Sequence, residues 1–266
     1  MQGQPRFNFI KKRMKHRINI LVYAILVVLT SILLEGSVFF WPLLIFITFT
    51  FLITLTLGVL FLKINYFLSS LIRLKSKEVL LTFDDGPDPI NTPKILDILK
   101  EENTKAIFFV IGNKADKHPE IIARILSEGH LIGDHTYTHN NMMALFSTAK
   151  LIKEFTQSQS TLLKLTGKRV PIFRAPIGYT NPNFARALKK LKLHSVGWSL
   201  RSYDTIFKDS NKLKERLVTK TKAGDIVLLH DNLDITSTIL KDYIQQAKTN
   251  GILFASTINI YKLQHG

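Results

Sequence analysis

The stretch LLTFDDGPDP, residues 80–89, decides how this chain is read: an apolar run ends on two adjacent aspartates and then turns through Gly-Pro. A turn needs only one Asp before its Gly, and Asp-Gly and Gly-Pro pairs are ordinary punctuation between elements. The second carboxylate at the exit of a core strand therefore requires another reason, and other strand ends are the place to look for it.

Working outward, short apolar runs alternate with amphipathic segments from residue 78 onward. EVLLTF, AIFFVI, HLIGDH, VPIFRA, LHSVGWSL, DIVLLH and GILFAST read as strands. Helical periodicity falls between most of them, at 93–102, 119–128, 147–165, 182–191, 211–221 and 236–247. Thr92-Pro93 and Asn181-Pro182 each place a capping residue before a proline suited to a first helical turn. Strand and helix in regular alternation predict an α/β fold with a parallel sheet, closed or nearly closed into a barrel.

A parallel barrel gathers the C-terminal ends of its strands on one face, where active sites are built. Asp84 and Asp85 end the first strand, and Asp134, His135 and His139 follow the third. Arg174, Trp198 with Asp204, and His230 with Asp231 close later ones. Two histidines four residues apart plus one carboxylate make a divalent-metal site with open positions. The second aspartate then has a role as the base that takes a proton from water, while a later histidine protonates the leaving amine and an arginine keeps the base ionised. That combination suits metal-assisted amide hydrolysis. The same ligand set also suits a non-haem Fe(II) oxygenase, and a glycan-binding module without turnover is a third reading.

TFDDGP, HTYTH, RAPIG, WSLRSYD and LLH, in this order, resemble the five motifs of the NodB-like polysaccharide deacetylases, carbohydrate esterase family four. The resemblance covers residue 78 to the C-terminus and implies a distorted (β/α) barrel of about seven parallel strands. The implied reaction is removal of N-acetyl groups from amino sugars with a divalent metal, zinc first and cobalt, manganese, nickel or iron as alternatives. By position, Asp84 matches the base, Asp85, His135 and His139 the metal ligands, and His230 the acid. Arg174 matches the tether of the base, Asp204 the carboxylate that tunes the acid, and Ile177 the backbone N–H that helps hold the oxyanion. Tyr179 and Trp198 are candidates to stack on a sugar ring. Arg201 stands where many relatives carry an acid and Thr205 where many carry tryptophan; Arg201 is read as a substrate-binding cation suited to an anionic group.

The remaining residues are read more plainly. His118 is expected at the surface, His130 and His194 in structural positions, Asp134 either in place of a more usual neutral residue before His135 or simply in solvent, and Asp231 beside a group it orients.

The chain of 266 residues is 46% hydrophobic and has no cysteine, so disulfides and thiolate metal sites are excluded. Between Ile18 and Leu62 the sole formal charge is Glu35. The length suits two membrane-crossing helices, at about 18–34 and 38–62, hinged at Glu35–Ser37. Residues 1–77 are expected to form a basic N-terminus and anchor, and 78–266 the catalytic domain. Of the formal net charge of +16, the anchor region supplies +9, from ten Lys/Arg against Glu35. That distribution points to membrane lipids as partner rather than nucleic acid. A multi-pass protein of the bacterial inner membrane is expected. Its substrate would be an N-acetylated glycan, such as a polysaccharide or peptidoglycan, or a lipid-linked amino sugar. A deformylase-like action on the last is the alternative.

Overall fold

The computed structural model describes residues 14–258. Runs rich in β-branched and aromatic residues form its strands: β1 (Ser70–Leu71), β2 (Leu80–Asp84), β3 (Ala106–Val110), β4 (Leu131–Asp134), β5 (Ile172–Phe173), β6 (His194–Val196), β7 (Leu200–Arg201) and β8 (Ile226–His230). All pair in parallel, in the order β1-β6-β5-β4-β3-β2-β8-β7. β6 and β7 lie near opposite ends of that order, yet only Gly197, Trp198 and Ser199 separate them in sequence, so the sheet must curl and bring its two ends close. Gly197 N–H donates to Leu71 of β1 at 2.7 Å and Ser199 N–H to Ile226 of β8 at 3.0 Å, which stitches the two ends together. The expected distorted α/β barrel of parallel strands is the fold that forms.

Helices α3 (Asn91–Glu101), α4 (Gly112–Lys117), α5 (Pro119–Ser127), α6 (Thr148–Thr166), α7 (Pro182–Lys190), α8 (Ser210–Lys220) and α9 (Asp234–Thr249) cover the outside. Side chains alternate across a strand. Leu81 and Phe83 of β2 therefore join the apolar cluster of Ile95, Leu99, Leu240 and Tyr243, while Thr82 and Asp84 meet Arg174 on the inner face. Each such fully buried aliphatic or aromatic side chain contributes about 1.5–3 kcal/mol, which fixes the position of the carboxylate at the end of β2.

Several expectations change in detail. LHSVGWSL breaks into β6 and β7 because its middle residues bond to two different neighbours. Ser70–Leu71 forms a strand by pairing with β6, a partner more than a hundred residues away. GILFAST yields one isolated bridge, Val79 to Phe254, among the described residues. Asn181 caps α7 as expected, accepting from Asn183 and Phe184 N–H. Thr92 does not cap α3: the helix starts at Asn91, Asp88 accepts from the first N–H groups, and the Thr92 hydroxyl goes to Asp231.

Ahead of the barrel lie α1 (Met14–Leu33) and α2 (Phe40–Leu60), joined by a short turn. Both are long and apolar enough to cross a membrane, and at 1.5 Å per residue α2 spans about 30 Å. Their large apolar side chains, such as Leu21, Ile32, Trp41 and Phe49, are mostly exposed rather than packed in a core. The two free ends meet, since Asn19 donates to the Tyr66 hydroxyl at 2.7 Å and Lys15 to the Ile64 carbonyl at 2.9 Å. The end of α2 then docks on the barrel: Thr180 N–H donates to the Val59 carbonyl at 3.3 Å and Lys63 to the Ser199 carbonyl at 2.6 Å. Gly197 permits the approach, because a Cβ there would stand 2.6 Å from Leu62.

Candidate active site

The end of β2 presents the two aspartates in opposite settings. Asp84 is buried, and its Oδ1 accepts from Arg174 Nη1 at 2.7 Å. Arg174 is wholly enclosed. It also donates to Thr82 Oγ1 and to the carbonyls of Val196 and Gly197, and its guanidinium lies 4.1 Å from the centre of the Phe109 ring. Every donor of a buried cation needs such a partner. Asp84 Oδ2 is left facing the site, 3.8 Å from His135 Nε2.

Asp85 takes a left-handed backbone conformation, φ 72°, which turns its carboxylate back toward the β4 loop. Its Oδ1 stands 3.4 Å from His135 Nε2 and 3.2 Å from His139 Nε2. Burial opposes ionisation of Asp85, but the hydrogen bond and charge of His135 with the charges of His139 and His230 outweigh it, holding the carboxyl well below the usual range. His139 is held below its ordinary value, chiefly by burial.

The HxxxH spacing is realised on a curled loop, with left-handed backbone at Thr136 and His139. Asp134 builds that loop from below. Its Oδ1 accepts from Thr136 N–H at 2.8 Å and Ser158 Oγ at 2.7 Å, and its Oδ2 from Gln159 Nε2 at 2.6 Å. Of the two readings of Asp134 the solvated one falls: the residue is fully buried, which pushes its carboxyl up.

Across the mouth, β8 pairs with β2 so that His230 lies directly beside Asp84. His230 Nδ1–H donates to Asp204 Oδ1 at 2.7 Å, and Asp204 Oδ2 accepts from His230 N–H and Thr236 Oγ1, each at 2.8 Å. Burial pulls the imidazole down, but the hydrogen bond and charge of Asp204, with the charges of Asp84 and Asp85, push it up to about 9.

Ile177 sits in a tight turn with φ 59°, a costly conformation for a β-branched residue and one found where function holds it. Gly178 beside it packs under the Trp198 ring, where a Cβ would stand 2.5 Å away. Trp198 thus forms a wall, partly buried and 5.7 Å from the Arg174 guanidinium. Tyr179 is half-buried. The Arg201 guanidinium rests 5.3 Å from the centre of the Tyr203 ring and makes no hydrogen bond or ion pair with the described residues.

Comparison with known proteins adds to this geometry. The family model for polysaccharide deacetylase matches residues 72–196. A peptidoglycan-N-acetylglucosamine deacetylase of Bacillus cereus is 33% identical over 189 residues, which cover 70% of this chain and 68% of the relative. The peptidoglycan-N-acetylglucosamine deacetylase PgdA of Listeria monocytogenes is 31% identical over 193 residues, 72% of this chain but 41% of that longer protein. The structure of peptidoglycan deacetylase PdaC from Bacillus subtilis superposes with a TM-score of 0.65 at 26% identity, covering 72% of this chain and 91% of that one. The chain belongs to the polysaccharide deacetylase family. Its reaction class is hydrolysis of a carbon–nitrogen amide bond that is not a peptide bond.

The cluster at this mouth offers the donors that a metal requires. Ligand atoms of Asp85, His135 and His139 lie within 4.8 Å of one another. His135 Nδ1–H donates to the Arg174 carbonyl at 3.0 Å, which fixes the tautomer and leaves the Nε2 lone pair turned inward. His139 Nε2 is buried without a hydrogen-bond partner, an arrangement that a cation satisfies.

Two residues of this site had little sequence signal. Asp134 is one; the other is Asp231, enclosed against Gly86, accepting from Thr92 Oγ1 at 2.6 Å and pushed up to about 7 chiefly by burial. Asp231 N–H donates to the Asp84 carbonyl at 3.2 Å, so it braces the turn that carries both aspartates.

Proposed function

We propose that this chain is a membrane-anchored, metal-dependent deacetylase that removes acetyl groups from N-acetylated amino sugars of a bacterial glycan, with peptidoglycan N-acetylglucosamine as the leading substrate. The names of the Bacillus and Listeria relatives support that substrate. The observation that carries the reading is the register of β2 against β8: Asp84, held by Arg174, and His230, held by Asp204, are neighbours across the strands beside the Asp85–His135–His139 triangle.

Asp85, His135 and His139 hold the metal, with zinc favoured by the nitrogen-and-carboxylate donor set. When bound, such an ion supplies Lewis acidity to the amide carbonyl and to water. Asp84 is the base. Arg174 occupies its Oδ1, so Oδ2 takes the proton from the attacking water. His230 is the acid: Asp204 holds its Nδ1–H and stabilises the imidazolium, which delivers the Nε2 proton to the leaving nitrogen. The Ile177 N–H meets the developing oxyanion, and Tyr179, Trp198 and Arg201 contact the sugar.

The boundary between anchor and catalytic domain is placed at residues 77 and 78. Helices α1 and α2 form a hairpin across the inner membrane, with lipid as their partner, both free ends on the side of the barrel, and basic residues Lys15, Arg17 and Lys63 at those ends, placed to meet anionic lipid. Acetate release from N-acetylglucosamine oligomers by the full chain in detergent tests the function. Loss with a chelator and return with zinc is expected; release that ignores the chelator refutes metal dependence, and no release under any condition refutes the deacetylase reading.

A further inference from the structure

We infer that the catalytic mouth of the barrel rests on the bilayer surface, so that the enzyme takes amino sugars presented at that surface rather than in bulk water. The inference builds on the membrane-anchored deacetylase reading above. Two independent features point the same way.

The first is where the hairpin leaves the membrane. Val59, in the last turn of α2, accepts from Thr180, three residues after Ile177, while Leu62 and Lys63 meet Gly197 and Ser199 on either side of Trp198. The segments that line the mouth are thus bonded to the membrane exit itself. No flexible tether separates them, and a mouth loop bonded to a spanning helix stands within about one helical turn, ~5 Å, of its end.

The second is the distribution of exposed apolar side chains. Beyond residue 64, the described residues with exposed large hydrophobic side chains include Ile90, Met142, Leu145, Ile177, Tyr203 and Ile206. These occupy the loops after β2, β4, β5 and β7, all on the mouth face of a parallel barrel. Leu145 is 76% exposed and Ile206 65%. Leu163 and Leu253 are the exceptions elsewhere. Turns at the opposite end carry exposed Lys168, Arg169, Lys192 and Lys222 and, Leu253 apart, no exposed large apolar side chain among the described residues. Apolar side chains gathered on one face mark an interaction surface, and its continuity with the end of α2 makes the bilayer its partner.

The absence of cysteine allows a clean test. Single variants Leu145→Cys, Ile206→Cys and Leu253→Cys of the full chain are labelled with a fluorophore and reconstituted into phosphatidylcholine–phosphatidylglycerol vesicles containing nitroxide-labelled lipid. Strong quenching at 145 and 206 with little at 253 is expected; equal, weak quenching at all three overturns the proposal. A second measurement uses the double variant Leu145→Asn/Ile206→Asn on N-acetylglucosamine attached to a phospholipid headgroup in the vesicles and on free N-acetylglucosamine oligomers. At least about tenfold loss confined to the lipid-borne sugar is expected, the smallest effect of withdrawing one large apolar side chain from apolar surroundings. Equal rates for variant and parent on both substrates overturn the proposal. Quenching needs no turnover, so a chain that docks but releases no acetate would refute the deacetylase reading and leave this one standing.

Discussion

Asp204→Asn separates the charge of the acid's partner from its shape. In the parent, burial lowers the His230 pKa and the Asp204 carboxylate is first among the groups that raise it, to about 9 against an ordinary 6.5. The asparagine keeps one acceptor, enough for His230 N–H and Thr236 Oγ1, but presents NH2 to the imidazole and loses the charge. With that support gone the imidazole returns toward its ordinary value. The sign follows: an acid must be protonated, so the alkaline limb of the kcat profile moves to lower pH. At pH 8 a group of pKa 9 is about 90% protonated and one of 6.5 about 3%, a loss of about thirtyfold, whereas at pH 5.5 both are mostly protonated and rates converge. A bound cation acts on parent and variant alike, so the difference between them survives metal loading. The assay is acetate release against pH, from 5 to 10, with saturating zinc. A uniform loss at every pH, with the alkaline limb unmoved, would refute the assignment of Asp204 as the tuner of His230.

Other expectations follow from the same geometry. Asp84→Asn should abolish turnover while leaving zinc bound, read by metal analysis beside the acetate assay; turnover near the parent level would remove Asp84 from the base role. Asp134→Ala withdraws three hydrogen bonds from beneath the His135–His139 loop and should weaken zinc about 10–100-fold in competition with a chelating dye. Arg174→Leu leaves Asp84 buried without its cation and should cost about 3–5 kcal/mol of barrel stability. Adding Asp84→Asn to it should restore part of that loss, and failure of the double variant to recover would show that packing on Phe109 dominates. Gly178→Ala should lower kcat, because its Cβ would collide with Trp198 and displace the Ile177 turn.

Much of this site was legible in the sequence because its residues sit at the ends of strands with strong apolar signals. LLTFDD, LIGDH and IVLLH leave little choice about where Asp84, His135 and His230 emerge. The two long apolar helices were equally plain, since each comes from a long run almost without charge. What stayed hidden depends on distant partners. Ser70–Leu71 has no strand signal of its own and exists because residues 195–196 offer it a free edge. The division of residues 193–200 into two strands follows from barrel closure, which no local window reports. Nothing local in the sequence marks Asp134 or Asp231 as buried, and their burial depends on Ser158, Gln159 and Thr92, supplied by other elements.

Arg174 touches both halves of the chemistry: its guanidinium grips Asp84 while its own carbonyl receives the His135 ring. The proposed base and the proposed ligand therefore hang from one residue, as two arms from one bracket. Drift of β5 against its neighbours, from a change of temperature or a substitution in the outer core, carries both arms together and leaves their spacing intact. Such a mounting lets the barrel around it vary widely in sequence without detuning the reaction, and it makes position 174 the one where a like-charged replacement is least tolerable: lysine retains the backbone arm but has too few donors to keep the other in register.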